Sequence, residues 1–466
     1  MDTKAAETER RLDVRLVVSV ISTAVMTFVG IMVETAMNVT FPTLMAEFDI
    51  STSTVQWVTT ANLLVLAIVV PTSAYLNRRF PTRLLFVVAI AFSLCGTLCG
   101  YLATSFATVL AGRVLQGVGT GMAMPLMFNI IIEQAPLENM GVMMGVGSLI
   151  PAMAPAVGPS VGGWIAENLG WRMIFGSLIP VLLAALVLGF AAIRQSHATS
   201  RCSFDAAGWL LVAASFSSLI FATSTGPEWG CASPRVLALF AGFALLLALF
   251  VRREKVARDP LVALSIFKQR RFVGGMLALI FLQFIVLGLS FLLPNYSQLV
   301  MGTGAAEAGT ILLYGCLVGA AMAPVSGRVL DRFGARIPTV TGATCILAST
   351  VLFFALSDHL RTLPAILVYV LFAFGQGLMV GNVMTVALRF LPEAVKSDGT
   401  AAINTLQQLA GALGTSVTTA IVDMFQQGAN DIALATMAGS RAAYALLAVM
   451  ALVPLVCLLR ITRAEK

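Results

Sequence analysis

Residues 16–42 read LVVSVISTAVMTFVGIMVETAMNVTFP. The run exceeds the roughly 20 apolar residues that a helix needs to cross a bilayer. Between Arg15 and Pro42 it holds a single charge, Glu34. A carboxylate at bilayer depth costs about 2.5–3.5 kcal/mol on insertion scales. A chain that keeps one there is expected to use it.

The apolar pattern recurs along all 466 residues, of which 58% are hydrophobic and 11% charged. The mean hydropathy is +0.92. An ordinary soluble domain carries about 25% charged residues, so that class is excluded. Fourteen apolar segments are expected to span the membrane. They are 16–42, 53–75, 83–103, 106–132, 141–164, 173–193, 207–224, 234–251, 273–294, 306–326, 337–357, 363–388, 399–423 and 442–460. The short alternating segments of a transmembrane barrel are absent. The expected class is an all-α integral membrane protein.

Orientation follows from Lys and Arg, which concentrate in cytoplasmic loops. With the N-terminus inside, 24 of the 29 basic residues fall in inner segments and four in outer loops, while Arg113 lies within a span. Both termini are therefore expected in the cytoplasm of a multi-pass cell (inner) membrane protein. The net charge of +7 reads as this topology signal and not as a nucleic-acid surface. The polar N-terminus carries no cleavage pattern, so no signal peptide is read. Seven cysteines are scattered without a nearby His cluster, so neither a disulfide framework nor a metal site is expected. A phosphate-binding GxxxxGK[ST] loop and a nucleophile elbow are both missing. The expectation is a non-enzyme without cofactors.

An internal repeat organises the spans. AYLNRRFPTR (74–83) aligns without gaps to GRVLDRFGAR (327–336), matching Arg79, Phe80 and Arg83 to Arg332, Phe333 and Arg336. Two homologous six-span halves are expected. The divisions are a cytoplasmic N-terminus (1–15), an N-terminal bundle (16–193) and a linker with two extra spans (194–251). A basic cytoplasmic segment (252–272), a C-terminal bundle (273–460) and a cytoplasmic tail (461–466) follow.

Several residues stand out chemically. Glu34 lies near the outer end of span one, and Arg113 about seven residues into span four, which enters from outside. At 1.5 Å per residue both sit about 10–12 Å deep. Opposite buried charges are expected to pair; the bland alternative is a static ion pair that only fixes packing. Span five holds Pro151, Pro155 and Pro159 with Gly158, Gly162 and Gly163, which predicts a bent helix that packs closely. Met127 and Asn129 in span four, with Gln283, Asn295, Gln376, Asn404 and Gln408 in the second half, are candidate cavity residues. Arg328, Asp331 and Arg332 at a tight inner turn closed by Gly334 read as a gating cluster. Asp423, at the outer end of span thirteen, is expected to be solvated.

Taken together and in order, these motifs resemble the major facilitator superfamily, specifically its fourteen-span multidrug:proton antiporters. ETAMNVTFP in span one is similar to an acidic signature that includes Thr35, Asn38 and Pro42. GRVLQGVGTG (112–121), PAVGPSVGG (155–163), Trp171-Arg172 and LPNYSQLVMG (293–302) follow in the family's order. The resemblance implies two six-helix bundles around a central cavity plus two peripheral helices. It implies proton-coupled efflux by alternating access, with Glu34 and Arg113 coupling, Asn38 in the cavity, and the span-five motif sealing it. Arg79, Arg83, Gly327, Arg328, Asp331, Arg332, Gly334 and Arg336 take gating roles under that resemblance. Arg78 and Pro81 depart from the basic loop pattern, whose acid and glycine the second copy keeps as Asp331 and Gly334.

One clear intramembrane carboxylate favours small amphipathic substrates that are neutral or monocationic. Protons and the lipid bilayer are the other expected partners, and a monomer is the expected state. A dedicated exporter of one metabolite, peptide or lipid is the alternative within transport. A membrane sensor that has lost transport is the alternative outside it.

Overall fold

The computed structural model describes residues 13–136, 140–195, 204–230, 233–257, 261, 263–392 and 395–463. The first half contains α1 (Val14–Val39), α2 (Phe41–Phe48), α3 (Thr52–Val55), α4 (Trp57–Val69), α5 (Ser73–Arg79), α6 (Thr82–Tyr101), α7 (Phe106–Gln134), α8 (Met140–Leu169) and α9 (Arg172–Ala192). Then come α10 (Ala206–Trp229) and α11 (Pro234–Glu254). The second half contains α12 (Arg270–Leu299), α13 (Ala305–Phe333), α14 (Arg336–Leu356), α15 (Thr362–Arg389), α16 (Lys396–Gln426) and α17 (Ile432–Arg463). Among the described residues, twelve helical segments are long and apolar enough to cross a membrane. The helices α8 and α16, at 30 and 31 residues, are as long but are not among those twelve.

Two expected spans are broken, each near a proline. The first stops at Val39, and Thr40 caps the start of α2, which carries Pro42 in its first turn. Proline has no N–H to donate and suits a helix start. The second span comprises α4, a 3₁₀ turn at Val70–Thr72 containing Pro71, and α5.

The helices sort into two bundles. In the first, α1 packs on α7, α8 and α9, and α6 packs on α7 and α9. In the second, α12 packs on α15, α16 and α17, and α14 on α15 and α17. The bundles meet along two seams, α8 with α13 and α4 with α16. The extra helices differ from each other. α11 leans on α10 and leaves most of its surface uncovered, as a peripheral helix should. α10 is seated against both α4 and α16, with Trp209 Nε1 donating to the Ile68 carbonyl at 2.9 Å.

Three direct hydrogen bonds between the two bundles lie at the end away from the chain termini. Gln298 Nε2 donates to the Val39 carbonyl (2.9 Å), Thr52 Oγ1 to Gln426 Oε1 (2.6 Å) and the Ala306 amide to Glu167 Oε2 (2.9 Å). The rings of Phe41 and Phe291 lie 6.0 Å apart at the same end. The bundles are thus joined at the distal end.

Candidate functional site

Glu34 and Arg113 are both buried, at 6% and 0% exposure. α1 and α7 pack directly, with Gly30 of α1 set against Thr120 of α7. Glu34 and Arg113 interact electrostatically, yet they are not joined by an ion pair or hydrogen bond. The reason lies in what Arg113 already holds. Its Nε donates to the Val58 carbonyl (2.9 Å) and its Nη1 to Gln116 Oε1 (2.6 Å). Gln116 Nε2 in turn donates to Thr97 Oγ1 (2.9 Å), and Thr97 donates to the Ser93 carbonyl (2.7 Å). Nη2 is buried without a partner. The expected pair is therefore a buried acid and base that interact electrostatically without a direct bond, with the base anchored to α4 and, through Gln116, to α6. Sequence reading missed Gln116 because a lone glutamine in an apolar helix carries no direction.

The cavity candidates separate into two groups. Asn38, Met127 and Asn295 are buried. Asn38 Oδ1 accepts from Thr59 Oγ1 at 2.7 Å, tying α1 to α4. Asn295 Nδ2 reaches the Phe291 carbonyl of its own helix at 3.5 Å. Asn38 Nδ2 and Asn295 Oδ1 are buried without a partner among the described residues. Asn129, Gln283, Gln376, Asn404 and Gln408 are half-buried, and no hydrogen bond ties them to the described residues.

The span-five motif is used for close packing. Gly158 lies so near α1 that a Cβ there would sit 2.9 Å from the Met32 carbonyl and closer still to Thr35 Oγ1. Gly162 abuts Ala36, Gly163 abuts the Ala305 carbonyl across the bundle seam, and Gly309 meets the Pro159 carbonyl. α8 continues through positions 151, 155 and 159. The side chains of Pro151 and Pro155 lie outside the described residues.

Of the gating residues, the described arginines lie mostly at the surface. Arg79, Arg328, Arg332 and Arg336 are exposed, and none joins an ion pair among the described residues. Gly327 faces open space, and Gly334 ends α13 at a φ of +77°, where glycine is at ease. The Asp331 and Arg78 side chains lie outside the described residues. Arg83 stacks its guanidinium 4.5 Å from the Phe190 ring and donates to the Phe190 carbonyl at 2.5 Å, and the Arg332 guanidinium lies 5.4 Å from the ring of Phe333. With the bundles joined at the other end, these charges stay in solvent.

Two distal features escaped sequence reading. Glu47 accepts from Arg172 Nη2 (2.7 Å) and Trp171 Nε1 (2.6 Å), and Arg172 Nε donates to the Ala103 carbonyl (2.8 Å). The Arg172 guanidinium beside Glu47 holds its carboxyl below the usual range. Nothing in the local sequence links Glu47 to Arg172, which is more than a hundred residues away. Asp423, expected in solvent, is 4% exposed and accepts from Gln427 Nε2 at 2.9 Å. α16 runs on to Gln426, one turn past the expected end, and so covers it.

Residues 23–415 match the Major Facilitator Superfamily profile. The chain belongs to the major facilitator superfamily. Over 452 residues it is 36% identical to lincomycin resistance protein LmrB of Listeria monocytogenes serovar 1/2a, covering 94% of this chain and 95% of that protein. It is 30% identical to the tetracenomycin C resistance and export protein of Streptomyces glaucescens, over 69% of this chain and 61% of that protein. Its fold is similar to a bacterial homologue of the human lysosomal transporter Spinster, with a TM-score of 0.68 at 15% identity, covering 97% and 98% of the two chains. This major facilitator chain is a multi-pass membrane transporter and not an enzyme.

Proposed function

We propose that this transporter exports small amphipathic compounds, neutral or monocationic, in exchange for protons. The 36% identity to a lincomycin resistance protein across nearly the whole chain carries the efflux half of the reading. The coupling half rests on Glu34, a buried carboxylate with Arg113 at electrostatic range and no hydrogen bond to the described residues. Such a group has both states within reach. Burial favours the neutral acid and the arginine favours the carboxylate, so a change in access to water switches it.

In the proposed cycle the chain termini lie in the cytoplasm, and the end joined by Gln298, Thr52 and Glu167 faces outward. The arrangement described above is then the inward-facing one. Substrate enters from the cytoplasmic side, where Asn129, Gln283, Gln376, Asn404 and Gln408 supply polar contacts. The bundles rock apart at the outer end, Glu34 takes up a proton, substrate leaves, and the protonated carrier returns. A proton moving down 100 mV supplies about 2.3 kcal/mol from the potential alone. Fourteen spans complete the architecture. α8 and α16, at 30 and 31 residues, exceed the ~20 residues that a crossing requires. The protein works as a monomer without a cofactor.

Relatives named for lincomycin and for tetracenomycin C also favour a narrower reading, an exporter dedicated to one compound. A growth-inhibition panel in a transporter-deficient host, led by lincomycin and extended to mono- and dicationic dyes, separates the two. Resistance to several unlike compounds is expected. Protection against one alone favours the dedicated exporter, and protection against none removes the efflux reading.

A further inference from the structure

A buried amide of α4 takes no part in the transport cycle proposed above. Asn62 of α4 is 1% exposed, and neither its Nδ2 nor its Oδ1 has a hydrogen-bond partner. An amide carries two donors and an acceptor, and leaving all of them unmet in the interior is costly. Native interiors rarely tolerate this without a use for the group.

Helix register places Asn62 against Glu34. α1 and α4 run in opposite directions and are tied by the bond from Thr59 to Asn38. One turn toward the chain termini from that bond, α1 presents Glu34 and α4 presents Asn62 and Leu63. Leu63 packs into an apolar cluster with Leu64, Ala67 and Leu409, which leaves Asn62 on the inner seam. α7 closes that seam. Gly117 sits so near that a Cβ there would lie 2.9 Å from the Asn62 carbonyl. One turn away on α7, Arg113 bonds to the Val58 carbonyl. Glu34 and Asn62 therefore share one level of the adjoining helices, with Arg113 one turn nearer the distal end.

From this geometry we infer that Asn62 is the hydrogen-bonding partner of Glu34 during the transport cycle. This deepens the proton-coupling reading and rests on it. The amide suits both protonation states. Its N–H donates to the carboxylate, and its carbonyl accepts from the O–H of the protonated acid, so the pair persists while the proton comes and goes. Asn38 is not equivalent, since its Oδ1 is already occupied by Thr59 and only its Nδ2 is free. Asn62 is a positioning residue: it acts through Glu34 and not on the substrate.

Arg113 of α7 is the charged group that faces Glu34; α4 brings no titratable side chain. The other charges on packed helices sit toward the helix ends: Glu133 of α7, Arg83 of α6, Arg270 and Arg271 of α12 and Arg328 and Arg332 of α13 at the end of the chain termini, and the other described ones at the distal end. Glu167 of α8 accepts from the Ala306 amide, Arg172 of α9 holds Glu47, and Glu307 of α13 accepts from Thr362. Tyr296 of α12 donates to the Ser357 carbonyl, and Arg83 of α6 is bound to Phe190.

The test uses the full chain reconstituted in lipid, comparing wild type with Asn62→Leu, Asn62→Gln and Glu34→Gln. Two readouts are taken: the pH midpoint of substrate transport, and the infrared carboxyl stretch in acid-induced difference spectra. Losing a donor to the carboxylate favours the proton-bound form. Asn62→Leu is thus expected to move the midpoint toward alkaline pH by about one unit and to shift the carboxyl band. Asn62→Gln is expected to restore most of both. In a Glu34→Gln background the band is absent and Asn62→Leu adds no further pH effect. If Asn62→Leu lowers expression, Asn62→Thr, which keeps a hydroxyl, replaces it with a smaller shift expected in the same direction. A folded variant with the wild-type midpoint and an unmoved band overturns the inference. If wild type moves no protons with substrate, the antiport reading fails, while the carboxyl band still decides whether Asn62 and Glu34 pair.

Discussion

A buried arginine held through two of its nitrogens is a fixed charge, and a buried acid without such bonds is a movable one. Arg113 and Glu34 stand in that relation. Gln116 is the residue that makes Arg113 fixed. Replacing it with leucine leaves Nη1 buried and unpaired, a cost of about 1–3 kcal/mol. Gln116→Leu should therefore lower the thermal unfolding temperature of the purified protein, and Gln116→Glu should keep it closer to wild type. Gly158 is the second sensitive point. A methyl group there meets Thr35 and the Met32 carbonyl, and overpacking of that kind costs about 1–3 kcal/mol. Gly158→Ala is expected to reduce folded yield and transport, measured by size-exclusion and dye efflux. At this scale the sequence was readable where a charge interrupted an apolar run, as at Glu34 and Arg113. It was unreadable for Gln116 and Asn62, because a neutral amide in a span gives no sign of which neighbour it meets.

At the scale of elements, the distal loop helix α2 and the start of α9 are held by one carboxylate. Glu47 joins Arg172 and Trp171, and its carboxyl sits below the usual range because of Arg172. A group held low in the folded protein contributes stability above its unfolded value, about 4.3 for Glu. That contribution is lost as pH falls through the lower folded value. Both side chains are 36% exposed, so the pair is worth at most about 1 kcal/mol. The unfolding temperatures of wild type and Glu47→Gln should therefore differ slightly at neutral pH and converge below about pH 4. A difference that grows on acidification contradicts this.

Element order and length were legible from hydropathy, since burial in lipid demands continuous apolar runs. The break after Val39 and the turn at Pro71 were not, because proline is tolerated in membrane helices and its effect depends on neighbours. The place of α10 was also hidden. Gln56 Nε2 donates to Ser224 Oγ at 2.9 Å, and Ser224 lies 2.7 Å from Ser416 Oγ. The inserted helix thus links α4 to α16 through small hydroxyls that look unremarkable in sequence.

At the scale of the whole molecule, polar contacts join the two bundles at the distal end, and Arg79, Arg328 and Arg336 of the repeated loop motif are exposed at the other. Opening the distal end must break the bond from Gln298 to the Val39 carbonyl and the bond from Thr52 to Gln426. Gln298→Ala combined with Thr52→Val should therefore shift the population toward distal opening. Longer distances between spin labels at the distal loops would report it, and unchanged distances would show that these bonds do not hold the closure. The repeat of 74–83 in 327–336 is the sequence feature from which a two-fold plan is expected. The conformation was beyond reach, since one sequence serves every state of a rocking carrier. The central claim is that Glu34 carries the transported proton. Its most direct measurement is substrate-driven proton movement in proteoliposomes under an imposed pH gradient, wild type against Glu34→Gln. The account predicts substrate-linked proton flux in wild type and none in Glu34→Gln, with substrate binding retained. Equal proton flux in the two proteins would contradict it.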